Sequence, residues 1–440
     1  MGLLIKRTTA VTLNDQHAVL EDIDIRLDGT RIQELGRNLP VHPGDETIDG
    51  SSLVALPAFF NAHCHAPMTF ERGWAEDLPL DRWFNERIWV AESALTEEDV
   101  YWGAALAACE MIRSGCAGFN DHYFYMDRVA EVVEASGMKA TLTWCQFGIG
   151  EDKEVGTNLE GALAFASRWR GRANGRIRTV LGPHSPYVCP PAFLKEIAQL
   201  AKQHGFGLHI HLAESSQQVV NSLKAHDRTP TELLNDCGVF DVPCVVAHAL
   251  YLDDRDVEIL AKRQVSVAHC PITYMKLAMG VNDLTRLQTA GINIGIGTDG
   301  PGSNNDMDMK EAVRITPLLQ KFHFNNPEAL PGDIPLRLAC AGSSRALGFA
   351  ESGSLEVGKS ADIALFDFSG PHLQPCHDLV ANLVHVAKGA DVRHLIVDGK
   401  LIMRDRVILT LDEEKIKSEA GRRAKAMVSK NLRVVREYQG

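Results

Sequence analysis

The sequence lacks long apolar runs, closely spaced cysteines and an excess of basic residues, and each absence argues against a class of protein. No apolar run approaches the ~20 residues that span a bilayer, so a membrane protein is not expected. The ten cysteines are scattered without a C-x-x-C pair, which disfavours a disulfide framework and a zinc–thiolate site. The net charge of -12 argues against nucleic acid and anionic membranes as partners.

The opening residues, MGLLIKRTTA, reach a charged residue too soon for the apolar core of a signal peptide. We therefore expect a cytoplasmic protein. Hydrophobic residues make up 45% of the 440 positions, which is ample material for a large core.

Short apolar runs alternate with helix-like stretches through the middle of the chain. Each run is rich in Val, Ile, Leu or Phe and is bounded by Gly, Pro or polar residues, as buried parallel strands are. The runs cover residues 53–61, 117–121, 140–147, 177–182, 207–212, 244–248, 264–269 and 292–298. Eight strands separated by helices predict an α/β fold, a (β/α)8 barrel of the TIM type.

The two ends of the chain have a different pattern, typical of antiparallel strands. Apolar segments flank Asp28-Gly29 and Asp398-Gly399, which are turn dipeptides of hairpins. The sequence therefore predicts a small β-sandwich domain built from residues 1–56 and 357–440, which flanks a barrel domain of residues 57–356. A charged helical tail is expected at Leu411–Glu437.

Polar residues cluster where the predicted barrel strands end. In a barrel these ends converge on one mouth, where such folds keep their active sites. A single buried histidine is usually a core residue, but six strand ends with such residues favour a functional site. The residues are His63, His65, His184, His211, Glu214, His248, His269 and Asp299.

Side chains two residues apart in a strand point the same way, so His63 and His65 form half of a metal site. Imidazole and carboxylate ligands suit one divalent ion, Zn²⁺ first, with Fe²⁺ or Mn²⁺ as alternatives. The fourth run has no lysine that could bridge a second metal. A bound ion lowers the pKa of water from about 15.7 to about 7. Asp299 can accept a proton from that water, and Glu214 can pass one to the substrate.

The segments around these positions resemble the amidohydrolase superfamily, in its branch of s-triazine hydrolases and methylthioadenosine/S-adenosylhomocysteine deaminases. The resemblance runs nearly end to end. Its motifs are specific for the branch and only weakly specific for a substrate. They are PAFFNAHCHAPMTF (57–70), RGWAEDLPLDRWF (72–84), GPHSPYVCPP (182–191), HIHLAES (209–215), VAHALYL (246–252), VAHCPITYMKLAMG (267–280) and GTDGPGSNNDMDM (297–309).

The resemblance implies roles for individual residues. The implied metal ligands are His63, His65, His211 and Asp299. Glu214 would protonate a ring nitrogen of the substrate, and His248 would polarise the attacking hydroxide or the developing oxyanion. Asp299 would also move a proton to the leaving amine. His209 is not a ligand in this pattern and is expected to face away from His211 as a structural residue. An acid at Glu214 favours deamination over displacement of chloride.

Five residues are candidates for substrate contacts: Glu92, His122, His184, Glu214 and Trp89. Glu92 aligns with a glutamate that holds the ribose diol in nucleoside deaminases, although a solvated carboxylate at a helix start is the alternative. His184 resembles the family residue that contacts the substrate. His122 stands where relatives carry Met, and it could bind a substrate ring or simply meet water. Trp89 belongs to an aromatic cluster that could form a stacking lid or pack the core.

The sequence departs from the nucleoside-deaminase pattern in two places. Trp144 and the segment around Thr157-Asn158 stand where arginines would meet the carboxylate of S-adenosylhomocysteine. The loop His269-Cys270-Pro271 stands where the family usually has HNPxSN. Both changes remove polar contacts, and a neutral pocket around Trp144 and Cys270 would suit a smaller substrate.

The leading hypothesis is a metal-dependent aminohydrolase, a hydrolase of carbon–nitrogen bonds other than peptide bonds. It would release ammonia from an amino-substituted N-heterocycle by attack of a metal-bound hydroxide. An adenosine derivative such as methylthioadenosine or S-adenosylhomocysteine comes first, and a free purine, pterin or s-triazine is the alternative. A non-catalytic scaffold is disfavoured, because every implied ligand is present. The expected partner is a small heterocycle, and a homo-oligomer is compatible with the sequence.

Overall fold

The computed structural model describes residues 2–148 and 158–429. Its strands fall into two sheets. The strands before the barrel are β1 Leu3–Val11, β2 Val19–Asp28, β3 Arg31–Gly36, β4 Glu46–Asp49 and β5 Leu53–Pro57. The barrel strands are β6 Phe59–Cys64, β7 Cys116–Tyr123, β8 Lys139–Gln146, β9 Ile177–Pro183, β10 Leu208–Leu212, β11 Cys244–His248, β12 Ser266–His269 and β13 Ile294–Ile296. The strands after it are β14 Ile363–Asp367, β15 Val392–Val397, β16 Lys400–Arg404 and β17 Val407–Ile408.

The eight barrel strands are all parallel and lie side by side in chain order from β6 to β13. A bridge between Cys64 and Asp299 brings the two edges together, and the Asp299 amide donates to the His63 carbonyl at 3.0 Å. The barrel expected from the alternation of runs and helices is therefore confirmed. Its carboxyl-terminal mouth carries the polar strand ends.

The terminal strands form one mixed sheet of nine strands, where a small sandwich was expected. β5 pairs in parallel with β1 and antiparallel with β14, so the two chain ends meet at its centre. A separate apolar cluster that includes Ile5, Ile25, Leu365 and Ile396 stabilises this sheet.

The predicted first run, residues 53–61, is two strands. β5 belongs to the terminal sheet, β6 belongs to the barrel, and Ala58 between them donates its amide to the Asp362 carbonyl. Both strands are wholly buried, so hydrophobicity alone did not reveal the corner.

The helices follow the expected cues at their ends. The Thr96 side chain accepts from the Asp99 amide in a capping box, and Gly205 ends its helix at φ 67. The helices are α1 Leu80–Trp83, α2 Trp89–Glu92, α3 Glu97–Arg113, α4 Met126–Ser136, α5 Leu159–Trp169, α6 Pro191–His204, α7 Ser216–His226, α8 Pro230–Asp236, α9 Asp254–Lys262, α10 Pro271–Lys276, α11 Leu284–Thr289, α12 Met309–His323, α13 Ile334–Arg337, α14 Ser343–Ala346, α15 Leu379–Ala381 and α16 Glu413–Ser429.

Short turns of other helix types join these elements. Three π-helical turns continue neighbouring α-helices, at Phe84–Ile88, Leu338–Gly342 and Asn382–Val386. Turns of 3₁₀ helix lie at Ala66–Glu71, Val239–Asp241, Pro371–Leu373 and Gly389–Asp391. Residues 430–437 of the expected tail lie outside the described residues. Among the described residues, no helix has the length and apolar character needed to cross a membrane.

Candidate metal centre and active site

The four implied metal ligands converge at the carboxyl-terminal mouth of the barrel. His63 lies in β6, His65 follows that strand directly, His211 lies in β10, and Asp299 follows β13. The Asp299 Oδ1 atom lies 3.2 Å from His65 Nε2 and 3.5 Å from His63 Nε2. The Nε2 atoms of His211 and His65 are 3.4 Å apart. These four side chains therefore direct one nitrogen or oxygen atom each toward a common point.

The Nδ1 atom of each of these histidines has a hydrogen-bond partner on the side away from the cluster. His65 Nδ1 donates to the His122 carbonyl at 2.6 Å, and His211 Nδ1 donates to the His184 carbonyl at 2.8 Å. A histidine that donates through Nδ1 has its Nε2 lone pair free for a metal ion. Two of the three imidazoles are thus fixed in the ligating tautomer by backbone acceptors.

The third imidazole is held by His209, whose expected position was wrong. His63 Nδ1 lies 2.9 Å from His209 Nε2, and the two ring planes are nearly perpendicular. Residues two apart in a strand share a face, so His209 points into the barrel on the same side as His211. It lies directly beneath the centre as the hydrogen-bond partner of His63.

The cluster has the chemistry of a divalent cation site. His63 Nε2 is fully buried and has no hydrogen-bond partner among the described residues, which is a costly arrangement without a ligand. Burial alone would raise the pKa of Asp299, but His63 and His65 hold it well below its usual range. Three imidazoles and one carboxylate match a catalytic zinc-type site.

The backbone is strained at two residues of the site, Asp299 and His248. Asp299 has φ 61 and His248 has φ 74, in the left-handed region that non-glycine residues rarely occupy. Such strain is typical of functional sites, where the surrounding structure over-determines the conformation. The Ser303 hydroxyl also donates to Asp299 Oδ2 at 2.9 Å and fixes the carboxylate plane.

Glu214 lies beside the cluster. Its side chain is buried, and burial followed by the negative charge of Asp299 raises its pKa to about 8. The Tyr187 hydroxyl donates to Glu214 Oε1, and the Glu214 amide donates to Gln218 at 2.8 Å. A carboxyl group that keeps its proton near neutral pH can serve as a general acid.

His248, at the end of β11, is the second expected proton-transfer residue. Its side chain is buried, and burial lowers its pKa to about 3, so the ring is neutral. Its ring lies 5.5 Å from that of His211 and stacks with it. His248 therefore presents a neutral imidazole to the space above the ligands.

A small cavity of about 50 Å³ opens on this cluster. It brings together all five residues expected to contact a substrate, together with Asp299, His65 and His211. The volume is far below the roughly 300–1,000 Å³ of ordinary ligand sites. The aromatic side chains of Trp83, Phe84 and Trp89 are part of the cavity lining.

The walls of the cavity are flat rings. His184 stacks on Phe147 with centroids 5.0 Å apart and on His211 at 4.5 Å. Trp89 meets Phe147 edge-on at 6.2 Å. Glu92 ends α2 and is half-buried, which disfavours the alternative of a solvated carboxylate at a helix start. His122 is buried, and both its ring nitrogens lack a hydrogen-bond partner in the described part of the chain.

The expectation of a neutral pocket around Trp144 and Cys270 was wrong, because neither residue lines the cavity. Trp144 faces outward from β8 and packs on Phe165 of α5 at 5.8 Å. Its neighbour Cys145 lines the cavity instead. Thr157 lies outside the described residues, and Asn158 caps α5 by accepting from the Gly161 amide.

Three contributors were missed in the sequence. Tyr187 lies within the GPHSPY motif, but nothing local links a tyrosine to an acid 27 residues away. Ser303 follows Asp299 by four residues in a glycine-rich turn. Glu71 is 1% exposed, neither of its carboxylate oxygens has a partner among the described residues, and burial and Glu92 raise its pKa well above normal. The position of Glu71 directly after the mostly apolar segment 66–70 was the sequence signal that could have predicted a buried acid.

Comparison with known proteins gives consistent matches over the whole chain. The amidohydrolase family profile matches residues 54–402. The chain is 43% identical over 432 residues to a 5-methylthioadenosine/S-adenosylhomocysteine deaminase of Pelotomaculum thermopropionicum, covering 98% of this chain and 99% of that protein. It is 39% identical over 428 residues to a 5'-deoxyadenosine deaminase of Methanosarcina acetivorans, covering 97% and 99%.

Solved structures show the same architecture. An adenosine deaminase from Xanthomonas campestris with bound zinc superposes with a TM-score of 0.92 at 31% identity, covering 97% of this chain and 98% of that one. An atrazine chlorohydrolase from Arthrobacter aurescens complexed with zinc has a TM-score of 0.87 at 24% identity, covering 97% and 100%. The second match concerns the fold alone.

Proposed function

Since the chain belongs to the amidohydrolase family, we propose that it is a metal-dependent aminohydrolase that releases ammonia from an adenosine derivative. The observation that carries the proposal is the placement of Glu214. Its buried carboxyl group opens on the same cavity as the converging ligand atoms of His65, His211 and Asp299. A proton donor and a metal centre facing one space are what hydrolytic deamination requires.

His63, His65, His211 and Asp299 would hold a divalent ion, Zn²⁺ in our proposal, as in the zinc-containing structural relatives. When bound, the ion supplies Lewis-acid activation of a water molecule at neutral pH. Asp299 accepts the proton of the attacking water and delivers it to the leaving amine. His248 orients that water through its neutral ring. Glu214 would donate its proton to the ring nitrogen next to the attacked carbon. The carbon–nitrogen bond then breaks, ammonia leaves, and Glu214 recovers a proton from the hydroxyl group added to that carbon, which becomes a carbonyl.

The same cavity would bind the substrate. Phe147 and His184 line the cavity, and because their faces stack on each other and on Phe124 and His211, a purine would meet the edges of these rings. Glu92 and Trp89 lie at the cavity, where Glu92 would accept hydrogen bonds from a ribose diol. The described cavity lining contains no Lys or Arg, so the carboxylate of S-adenosylhomocysteine has no cationic partner there. We therefore place methylthioadenosine and 5'-deoxyadenosine ahead of S-adenosylhomocysteine.

A free purine, pterin or s-triazine is the second candidate, favoured by the small volume of the cavity. Ammonia release by zinc-reconstituted protein separates the two. The panel contains adenosine, methylthioadenosine, S-adenosylhomocysteine, guanine, a pterin and an amino-triazine. We expect the highest kcat/KM with methylthioadenosine. Release from a free base or triazine alone would replace the nucleoside assignment by the second candidate.

The variant Glu92→Gln sharpens this test. It should raise KM for nucleosides and leave any activity on free bases unchanged, because only a ribosylated substrate needs a diol acceptor. The control is Glu86→Gln, an exposed glutamate nearby that pairs with Arg82. Equal losses on nucleosides and free bases would remove Glu92 from the diol role.

The variant Glu214→Gln tests the general acid. It cannot donate a carboxyl proton, and we expect kcat to fall by roughly 10²–10⁴-fold. Bound zinc, measured by elemental analysis, should be unchanged because Glu214 is not a ligand. Glu196→Gln, on the exposed face of α6, is the matched control. An unaltered rate in Glu214→Gln would eliminate the proposed acid role.

A further inference from the structure

A second, larger cavity lies at the opposite end of the barrel from the metal centre. Its volume is about 760 Å³, and the starts of β9, β10, β11 and β12 contribute to its lining. The residues that line it within the described part of the chain include three arginines and no Asp, Glu or Lys. The charged residues that line the cavity are therefore all positive, on a chain whose net charge is -12.

Neutral partners brace the three arginines. The Arg178 guanidinium lies over the ring of Phe349 at 4.7 Å, and that of Arg170 lies over Phe206 at 5.0 Å. Arg345 Nη1 donates to Asn293 Oδ1 at 3.4 Å. None of the three forms an ion pair with a carboxylate of the described residues. Each positive charge is thus held in place without being neutralised.

Arg170 and Arg178 are close enough to influence each other. Partial burial lowers the pKa of Arg178, and the positive charge of Arg170 lowers it further, although all three arginines are exposed at the surface. An anion between them would relieve that repulsion and accept hydrogen bonds from the planar guanidinium groups. Phosphate suits such groups particularly well, because guanidinium offers paired donors to its oxygens.

The floor of the cavity offers a different kind of contact. Asn120 is fully buried and lines the cavity, and its Nδ2 donates to the Ala62 carbonyl at 3.1 Å. Its Oδ1 has no hydrogen-bond partner among the described residues. A buried acceptor of this kind needs a donor, directly or through a water molecule. A ligand with hydroxyl groups as well as negative charge satisfies both sets of groups, provided that the side chains covering the fully buried Asn120 Oδ1 atom move aside.

We propose that this cavity binds a small phosphorylated polyol, with Arg170, Arg178 and Arg345 on its phosphate and Asn120 facing its hydroxyl groups. The cavity volume is within the range of ordinary small-molecule sites. The site is separate from the catalytic mouth, because it lies at the amino-terminal ends of the same strands. Occupation of the two sites is therefore not mutually exclusive.

The test is calorimetric titration of the full-length, zinc-loaded protein with glucose 6-phosphate, orthophosphate and glucose. We expect saturable one-to-one binding of glucose 6-phosphate, weaker binding of orthophosphate and none of glucose. Arg178→Gln and Arg345→Gln should each weaken binding about tenfold, the loss expected for one charge-assisted contact. Equal affinity for orthophosphate and glucose 6-phosphate would overturn the polyol part of the proposal and assign the site to phosphate alone.

Arg172→Gln is the matched control. Arg172 lies in the same turn as Arg170, is exposed, and is not part of the cavity lining. Its substitution should leave the affinity unchanged. No binding of either phosphate, or an equal loss in Arg172→Gln, would overturn the site, because the latter result would mean general attraction to a basic surface.

Discussion

At the scale of single residues, the metal centre depends on which nitrogen of each histidine carries the proton. Backbone carbonyls fix this choice for His65 and His211, and the ring of His209 fixes it for His63. A side-chain acceptor can be removed by substitution, whereas a backbone acceptor cannot. A substitution of His209 therefore tests how much the hydrogen bond behind His63 contributes to metal binding, without removing a proposed ligand.

We expect His209→Leu to weaken zinc binding by about 10–100-fold, the usual loss when a partner behind a metal ligand is removed. His209→Gln should recover much of that loss, because its amide oxygen can accept from His63 Nδ1. Competition with a chromogenic chelator measures both affinities directly. His204→Leu, at an exposed position in the same region, is the control. Unchanged affinity in His209→Leu would show that His63 needs no such partner.

Glu71 poses a second question at this scale, because a buried carboxyl group without partners destabilises the fold. Burial and the proximity of Glu92 raise its pKa well above 4.5. Below about pH 4.5, Glu71 is protonated in both the folded and unfolded states and adds no penalty. Above that pH the unfolded chain loses the proton first, so the free energy of unfolding falls as pH rises toward the folded-state pKa.

Glu71→Gln removes this titration with little change in volume. Its free energy of unfolding relative to the parent should rise with pH, by about 1.4 kcal/mol per pH unit across the window between the two pKa values. Urea unfolding at pH 5 and pH 8 measures the difference. The control Glu76→Gln should lower the free energy of unfolding by a similar amount at both pH values, because partial burial is outweighed by Lys276 and Asn305, which hold the pKa of Glu76 below its usual value of 4.5. A pH-independent effect of Glu71→Gln would contradict the assignment.

At the scale of elements, one buried lysine joins the barrel to the terminal sheet. Lys139, at the start of β8, lies 2.7 Å from Asp362 Oδ2 and 2.7 Å from Asp398 Oδ1. Asp362 precedes β14, and Asp398 lies in the turn between β15 and β16. Asp362 is buried and also accepts from the Ser352 hydroxyl and the Asp398 amide, whereas Asp398 is partly exposed, and Lys139 forms the ion pair with both carboxylates.

Lys139→Met should lower the free energy of unfolding by about 3–5 kcal/mol, because it leaves the buried carboxylate of Asp362 without a cation. Lys202→Met, which removes an exposed lysine 3.9 Å from Asp241, should change it by about 1 kcal/mol or less. Thermal denaturation of the two variants side by side measures both effects. Similar small losses in the two would mean that the buried pair contributes no more than a surface one.

The elements also show why part of the fold was readable from the sequence. Strand ends with polar residues after apolar runs, such as His248 after Cys244–Ala247, located the mouth of the barrel correctly. The corner at Ala58 was not readable, because both flanking strands are buried on all sides and show no alternation. The direction of the His209 side chain follows from strand periodicity, because residues two apart in a strand share a face. The expectation that His209 faces away from His211 was therefore wrong.

At the scale of the whole molecule, the convergence of His63, His65, His211 and Asp299 could be predicted, because these residues lie at equivalent strand ends. Contacts between distant segments could not, and Tyr187 with Glu214 and Glu71 with Glu92 are examples. We infer that residues 57–356 form one barrel domain, with the terminal segments as a composite second domain. The meeting of β5 and β14 at the centre of the terminal sheet supports this division.

The pairing of β5 with β14 affects the order in which the two sheets can form during synthesis. Val54 of β5 pairs with Phe366 of β14, which is synthesised about 310 residues later. At roughly 5–20 residues per second, the ribosome takes about 15 to 60 s to cover that distance. Throughout this interval β5 has an open edge, while all the barrel strands emerge. The order of synthesis therefore makes the barrel the first part that can close, and the terminal sheet the last.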